Sequence, residues 1–216
     1  CPASAPLTCL IRRYTGIYHF CPTGRSENGL WALAEPWDMT NLWTELSSGP
    51  DAPGVITAVV ESLAGDRNKY EYDKDIPGII LDRVLHSSVH YPGDYGFIPQ
   101  TYWDDGDPFD VLILVHDATF PGCVMTVRPV ALMRMEDDGE SDDKVIAVPA
   151  EDPRFDHIID LSDLSTQTTD EIAQFFETYK ALEPGKQTTT GGFEDAAAAR
   201  AAIERAMELF EQEIAA

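Results

Sequence analysis

Short apolar segments separated by polar turns occupy the chain from residue 55 to residue 148. Their length and their content of Val, Ile and Tyr are typical of β-strands. The pattern predicts strands at Val55–Leu63, Lys69–Tyr72, Ile79–Leu85, Val111–Val115, Val124–Met135 and Lys144–Val148. Pro129 cannot donate a backbone hydrogen bond, so it predicts an edge position or a bulge in its strand. Several short strands at this spacing indicate a barrel.

The C-terminal part of the chain changes to a helical period. Helices are predicted over Thr169–Leu182, which ends before Pro184, and over Glu194–Ile214. Each helix carries one apolar stripe, formed by Ile172, Phe175, Phe176 and Tyr179 on the first and by Ile203, Met207, Phe210 and Ile214 on the second. Strands followed by helices predict an α+β domain.

An acidic turn precedes the predicted strand at Val111–Val115. Asp104, Asp105, Asp107 and Asp110 place four carboxylates within seven residues. Like charges ~4 Å apart repel by roughly 1 kcal/mol in water and by about 4 kcal/mol at an effective dielectric of 20, so the cluster favours cations. Oxygen ligands of this kind suit Mg²⁺, Mn²⁺ or Ca²⁺ better than zinc or copper.

Two simpler interpretations of this acidic turn need to be weighed. In a chain this acidic, an Asp-rich turn is as readily a solvated loop as a metal site. An EF-hand loop would need Gly at its sixth position and Glu at its twelfth. Counted from Asp105, those positions hold Asp110 and His116, which excludes that motif.

The turn also belongs to a longer pattern. Asp105-Gly106-Asp107-Pro108-Phe109-Asp110-Val111 resembles the D-x-D-P-x-D-x motif of the family I soluble inorganic pyrophosphatases. Further blocks are similar to that family in order and spacing, at Glu61, Lys69-Tyr70-Glu71, Asp82-Arg83, Tyr91 to Gly96, Asp137, Asp142, Lys144 and Tyr179-Lys180. The resemblance covers roughly residues 39 to 210 and is to the archaeal and prokaryotic members.

This resemblance implies a fold, a reaction and a metal site. The implied fold is a closed five-stranded OB-like β-barrel flanked by the two C-terminal helices. The implied reaction is hydrolysis of pyrophosphate to two orthophosphates by water that divalent ions activate, with Mg²⁺ as the usual ion and Mn²⁺ as a substitute. The implied metal ligands are Asp105, Asp110, Asp137 and Asp142, and Asp107 is the implied general base.

The resemblance also implies which residues contact the substrate. Cations and hydroxyls for the phosphate oxygens would come from Lys69, Arg83, Tyr95, Lys144, Tyr179 and Lys180, with Glu61, Glu71 and Tyr91 in support. Taken singly, Tyr179 would be a core residue of its helix and Lys180 a surface charge. Only their joint occurrence points to a site. Prokaryotic members of the family also imply a homohexamer.

Composition limits the classes of binding partner and the cellular compartment that we expect for this protein. The net charge of −23, from 38 acidic and 15 basic residues, argues against binding nucleic acid or an anionic membrane through a basic patch. The chain lacks the long apolar run that a membrane span needs. Cys123 is the one cysteine after Cys21, which favours a reducing cytoplasm. The acidic excess resembles that of halophilic archaeal proteins.

The charge also divides the chain. Residues 1–38 hold three acidic and three basic residues, so the whole excess follows Asp38. We expect residues 1–38 to be a poorly ordered extension or a stretch translated in error, and residues 39–216 to be a single pyrophosphatase domain. Within that domain, Gln187–Phe193 departs from the family pattern, and Asp143 is expected to be solvated.

Two rival functions use the same acidic residues. A metal-dependent phosphohydrolase acting on organic phosphates would need stacking or apolar residues for a base or sugar. A Ca²⁺-binding or acidic interaction module would not need Lys, Arg and Tyr at fixed positions.

Overall fold

A computed structural model describes residues 40–76 and 78–214; the predicted extension at residues 1–38 lies outside them. The strands are β1 (Ile56–Ser62), β2 (Asn68–Asp73), β3 (Gly78–Val84), β4 (Asp94–Phe97), β5 (Asp110–Ile113), β6 (Val124–Asp137), β7 (Glu140–Ser141), β8 (Lys144–Pro149) and β9 (Thr188–Asp195). The helices are α1 (Thr166–Thr178) and α2 (Ala196–Glu213), preceded by 3-10 turns at Pro153–Phe155 and Leu161–Asp163.

Five of these strands pair in a ring. Strand β1 pairs antiparallel with β4 on one side and with β6 on the other. Strand β4 pairs with β5, β5 runs parallel to β8, and β8 pairs with β6. The short β7 and the longer β9 both add to β6, while β2 and β3 form a separate hairpin. The molecule is therefore a mixed α+β fold built on a ring of five strands.

Buried apolar side chains hold the helices against this ring. One cluster joins ring residues such as Val111 and Val145 to Ile203 of α2. A second cluster packs Phe175 and Phe176 of α1 against Ile146 of β8. Each buried side chain of this size stabilises the fold by roughly 1.5–3 kcal/mol, so the apolar stripes of the two helices determine where they dock.

The strand and helix predictions are largely confirmed. The Pro129 prediction holds because the register between β6 and β8 shifts between Pro129 and Ala131. Three strands were not predicted, namely β4, the two-residue β7 and β9. Strand β4 is buried along its whole length, and β9 falls in the segment that departs from the family pattern. That segment still pairs with β6, from Ala131↔Asp195 to Asp137↔Thr188.

Helix termini follow ordinary capping chemistry. Ser165 caps α1 by accepting a hydrogen bond from the backbone N–H of Thr168. Asp195 caps α2 in the same way by accepting from Ala198. Within the described residues, no helix is long and apolar enough to cross a membrane.

Candidate active site

A cavity of about 530 Å³ lies between the β2–β3 hairpin, the acidic turn before β5 and the C-terminal end of α1. Of the described residues, eleven carboxylates and five Lys or Arg side chains line it. The excess of negative charge at one place is costly unless cations balance it. The five basic residues are a large share of the twelve that follow Asp38, so the cavity concentrates scarce positive charge as well.

Three carboxylates converge on one side of the cavity. Asp105, Asp110 and Asp142 each offer an oxygen atom, and these atoms lie within 4.8 Å of one another. Strand pairing explains why they meet. Asp110 begins β5, Asp142 lies two residues before β8, and the two strands run parallel with Val111 opposite Val145. Their N-terminal ends therefore share an edge, and the turn carrying Asp105 folds back onto it.

Burial and mutual repulsion perturb these carboxyl groups. Burial, then the charge of Asp110, raises the pKa of Asp105 to about 7. The pKa of Asp142 is also raised, first by burial, although Lys144 opposes the shift. A carboxylate that resists ionisation beside others of its kind is typical of a site built for a cation.

Lys144 lies behind this trio rather than in the cavity wall. Its side chain is 1% exposed, and its ammonium lies 2.5 Å from Asp110 Oδ2 and also donates to Asp142. Although burial alone would lower the pKa of Lys144, the two carboxylates raise it above its ordinary value. Lys144 is therefore a fixed counter-charge beneath the acidic trio, and its implied contact with substrate would need it to change partners.

Asp107 lies at the mouth of the cavity. Its side chain is 61% exposed, and its backbone N–H donates to Asp105 Oδ1 at 3.0 Å, which shapes the turn. The positive φ of Gly106, +88°, is a backbone conformation that favours glycine at this point of the turn. Asp107 Oδ1 lies 2.5 Å from the ammonium of Lys74.

Three tyrosines form one wall. Tyr91, Tyr95 and Tyr179 are all buried, and their rings pack with Phe175 and Phe176 of α1. The Tyr95 hydroxyl donates to Asp110, whereas the Tyr91 hydroxyl has no hydrogen-bond partner among the described residues. Burial raises the pKa of all three above the ordinary value of a phenol, so they remain protonated donors at neutral pH.

The other predicted substrate-binding cations, Lys69, Arg83 and Lys180, also line the cavity, and each contacts a carboxylate. Lys69 and Glu71 lie on one face of β2, as alternation along a strand requires, and their side chains are in contact. Arg83 donates to Asp82 and, at 2.9 Å, to Glu183.

At the end of α1, the ammonium of Lys180 donates to Asp137 Oδ2. Asp137 Oδ1 is buried without a hydrogen-bond partner among the described residues.

Glu61, which the sequence indicated as a supporting residue, is a buried carboxylate of the cavity wall. Burial, then the charge of Asp110, raises its pKa to about 8, while its Oε1 accepts from the backbone N–H of Tyr72 at 2.6 Å.

The structure adds cavity residues that sequence reasoning missed. Lys74, Lys186 and Glu183 line the cavity, yet none belongs to a quoted block or to a periodic pattern. The expectation for Asp143 was wrong. It is 4% exposed because its carboxylate accepts from Arg134 at 2.6 Å and from the backbone N–H of Met135 at 3.0 Å.

Comparisons with known proteins give consistent matches over most of the chain. The family model described as inorganic pyrophosphatase matches residues 58–211. The chain is 68% identical to the inorganic pyrophosphatase of Haloferax volcanii over 177 residues, which cover 82% of this chain and 100% of that protein. It is 67% identical to the one from Halobacterium salinarum over the same length and shares.

A solved structure, the inorganic pyrophosphatase from Thermus thermophilus, superposes with a TM-score of 0.77. It is 47% identical in sequence, and the match covers 79% of this chain and 99% of that one.

Proposed function

Because the chain belongs to the inorganic pyrophosphatase family and is an inorganic diphosphatase, we propose that divalent ions activate the water that hydrolyses pyrophosphate and that Asp107 is the general base. One observation carries the proposal. A trio of carboxylates whose oxygens lie within 4.8 Å of one another shares a cavity with a set of cations and buried phenols. Such a cavity suits a small, highly charged anion that arrives with metal ions.

The residues present fit divalent ions. Asp105, Asp110 and Asp142 would hold them, since three converging carboxylates supply the hard oxygen ligands that Mg²⁺ and Mn²⁺ take. Asp137 fits the same role because its buried Oδ1 lacks a partner among the described residues. When bound, such ions supply an acidified water molecule and neutralise phosphoryl charge.

The chain's own side chains divide the remaining work. Asp107, at the mouth of the cavity, would accept the proton of the attacking water. Lys69, Arg83 and Lys180 would hold the phosphate oxygens, with Tyr179 as a neutral hydrogen-bond donor and Tyr95 as another once its hydroxyl releases Asp110. Arg83 can bind a phosphate bidentately, whereas lysines act as point charges. Lys144 would act from behind the trio, balancing its charge, and Glu71 and Tyr91 complete the walls.

Each cation now bound to a carboxylate must be released to bind substrate. Lys180 contacts Asp137, Lys69 contacts Glu71 and Arg83 contacts Asp82 and Glu183. These side chains are 12–44% exposed, so solvent screens the pairs only in part, and a phosphoryl group that displaces a carboxylate replaces one anionic partner with another. The carboxylates therefore keep these side chains at the site until a phosphoryl group takes their place as partner.

Several properties of the whole protein belong to the same proposal. The ring of five strands would be the closed OB-like barrel that the family resemblance implies. Residues 39–216 would form the single catalytic domain, because relatives are matched over their full length by 177 residues of this chain. We also propose that the protein is a homohexamer, that it works in the cytoplasm of a halophile and that Mg²⁺ is its ion.

A direct assay tests the reaction. Phosphate release is measured from pyrophosphate, ATP and p-nitrophenyl phosphate, each with Mg²⁺ and with EDTA. We expect Mg²⁺-dependent release from pyrophosphate well above that from the two organic phosphates. Preference for either organic phosphate would favour a broader phosphohydrolase, and absence of all release with metal still bound would favour a cation-binding module.

A single substitution tests the base. Asp107→Asn keeps the side-chain shape but cannot accept a proton, so we expect kcat to fall by about 10²- to 10⁴-fold with the fold retained. A variant within twofold of the unmodified enzyme would remove Asp107 from this role.

A further inference from the structure

Lys74 lies where three separate segments of the chain meet. It follows β2 in the hairpin turn, and its ammonium is 2.5 Å from Asp107 Oδ1 and 2.9 Å from the carbonyl oxygen of Gly106. The same ammonium lies 5.0 Å from the centre of the Trp43 ring, within range of a cation–π interaction. The Lys74 side chain therefore connects the β2–β3 hairpin and the segment around Trp43 to the acidic turn.

Both anchors of Lys74 are themselves fixed. In the hairpin turn, Asp73 Oδ1 accepts from the backbone N–H groups of Asp75 at 2.8 Å and Ile76 at 2.6 Å. Trp43 is 7% exposed, and its Nε1 donates to the carbonyl of Thr101 at 2.8 Å. The capped turn and the buried ring restrain the Lys74 side chain, which is 40% exposed, from two sides.

Asp107, in contrast, has little else to hold it. Its side chain is 61% exposed, and in the part of the chain that the structure describes its carboxylate forms an ion pair with Lys74. An exposed carboxylate samples several rotamers, and a general base works only when its oxygen is within hydrogen-bond reach of the proton it takes.

We propose that Lys74 is a positioning residue for the reaction. It fixes the carboxylate of Asp107 through Oδ1 and leaves Oδ2 to accept the proton of the attacking water. This inference rests on the proposed role of Asp107 as general base. It differs from the roles of Lys69, Arg83 and Lys180, which pair with carboxylates of the cavity walls and are available to phosphate. Lys74 acts on turnover through Asp107, not on substrate affinity.

The first measurement separates kcat from KM. Lys74→Met keeps the length of the side chain and its contact with Trp43 but removes the charge. Misplacing a catalytic group by 1 Å costs on the order of 10²-fold, so we expect kcat to fall roughly 5- to 50-fold with KM within twofold. Lys74→Arg retains the charge and should recover most of the loss. A kcat within twofold of the unmodified enzyme, or a rise in KM at unchanged kcat, overturns the proposal.

A matched control comes from the same chain. Arg154 and Asp152 form another exposed pair at 2.6 Å, and Arg154 is not among the cavity residues. Arg154→Met should leave kcat and KM unchanged. Thermal unfolding should show all variants folded, with only the small loss of stability that removing one exposed pair causes.

A double-mutant cycle with Asp107→Asn completes the test. If Lys74 acts through Asp107, Lys74→Met should lower kcat by less than twofold in the Asp107→Asn background. An equal fall in both backgrounds overturns the positioning role while the base role of Asp107 stands. A fully active Asp107→Asn variant overturns the base role itself, and with it the inference about Lys74.

Discussion

At the scale of one residue, burial of the Glu61 carboxyl group in the cavity wall makes the stability of the protein depend on pH. Its raised pKa, about 8, means that the folded protein holds a proton that the unfolded chain releases near its ordinary value of 4.5. Folding is therefore favoured by this group below about pH 4.5, and that contribution is lost as pH rises through 8. The buried carboxyl group is tolerated because it stays protonated below about pH 8 and its Oε1 accepts from the backbone N–H of Tyr72.

The substitution Glu61→Gln removes this titration and keeps an oxygen to accept from Tyr72. In metal-free protein with EDTA, we expect the variant to melt higher than the unmodified protein at pH 8.5 and no higher at pH 5. Each pKa unit corresponds to about 1.4 kcal/mol, so the shift from 4.5 to about 8 allows the two free energies of unfolding to differ by up to about 5 kcal/mol at pH 8.5. Thermal unfolding at the two pH values measures it. A variant that melts lower at pH 8.5 would contradict the pKa argument.

The sequence indicated the site residues unevenly for a physical reason. Asp105, Asp107 and Asp110 stand together in one turn, where their charge density made a cation site as ready an interpretation as a solvated loop and the motif resemblance favoured the site. Lys74 and Lys186 reach the cavity from separate turns, and a single lysine in a turn carries no pattern. Tyr179 has the spacing of a core residue and is indeed buried, so its hydroxyl could be connected with the site only by the family resemblance.

At the scale of elements, the ring closes through a contact that side chains would prevent. Gly96 of β4 lies opposite Val60 of β1, where a Cβ would come within 1.9 Å of the Val59 carbonyl oxygen. The need for glycine in this strand lowers its apparent β-propensity, which is one reason the sequence did not predict β4. Asp94, the first residue of β4, is polar yet wholly buried, which also masks the strand pattern in the sequence.

Gly96→Ala should therefore be strongly destabilising, because the obstructing atoms belong to the backbone and cannot rotate away. We expect a loss of about 2 kcal/mol or more, or failure to obtain folded protein. Gly54→Ala is the control, since its Cβ would meet nothing closer than 3.4 Å, and it should change stability by less than about 0.5 kcal/mol. Urea unfolding of both variants measures the difference. Equal stabilities would disprove the close approach of β1 and β4.

Strand β9 was missed for a different reason. Its sequence has three threonines followed by two glycines, so apolar alternation is weak, and its residues are mostly half-buried or exposed. The strand forms because the long β6 offers a free edge, which β9 pairs with over seven positions. Pairing to an existing edge is a tertiary effect that local propensity does not contain.

At the scale of the molecule, the extension before Met39 should be dispensable for the chemistry. Every predicted site residue follows residue 60, and the halophilic relatives match the chain over only 177 residues. A chain shortened to begin at Met39 should fold and hydrolyse pyrophosphate with kcat and KM within twofold of the full chain. Loss of folded protein or of activity on removing residues 1–38 would make that segment part of the domain.

Charge is the other property of the whole molecule that has a measurable consequence. After Asp38, 35 acidic residues face 12 basic ones, and half of those basic residues line the cavity or lie directly beneath it. The remaining surface is therefore left with a large excess of unpaired carboxylates. Their mutual repulsion opposes the compact state, and it would oppose assembly of subunits as well. Salt screens such repulsion over ~10 Å at 0.1 M and ~3 Å at 1 M.

We therefore expect the melting temperature to rise between 0.1 M and 2 M KCl with Mg²⁺ held fixed, and sedimentation to show larger assemblies at high salt. Screening also weakens exposed ion pairs, but each contributes only about 0–1 kcal/mol, so the repulsive excess should dominate. Glu208→Lys combined with Glu211→Lys, both exposed on the α2 surface, supplies the matched test. Reversing these charges should raise the melting temperature at 0.1 M KCl and reduce its rise with salt. A melting temperature that is flat or falls with KCl would contradict the role of surface charge while leaving the pyrophosphatase assignment intact.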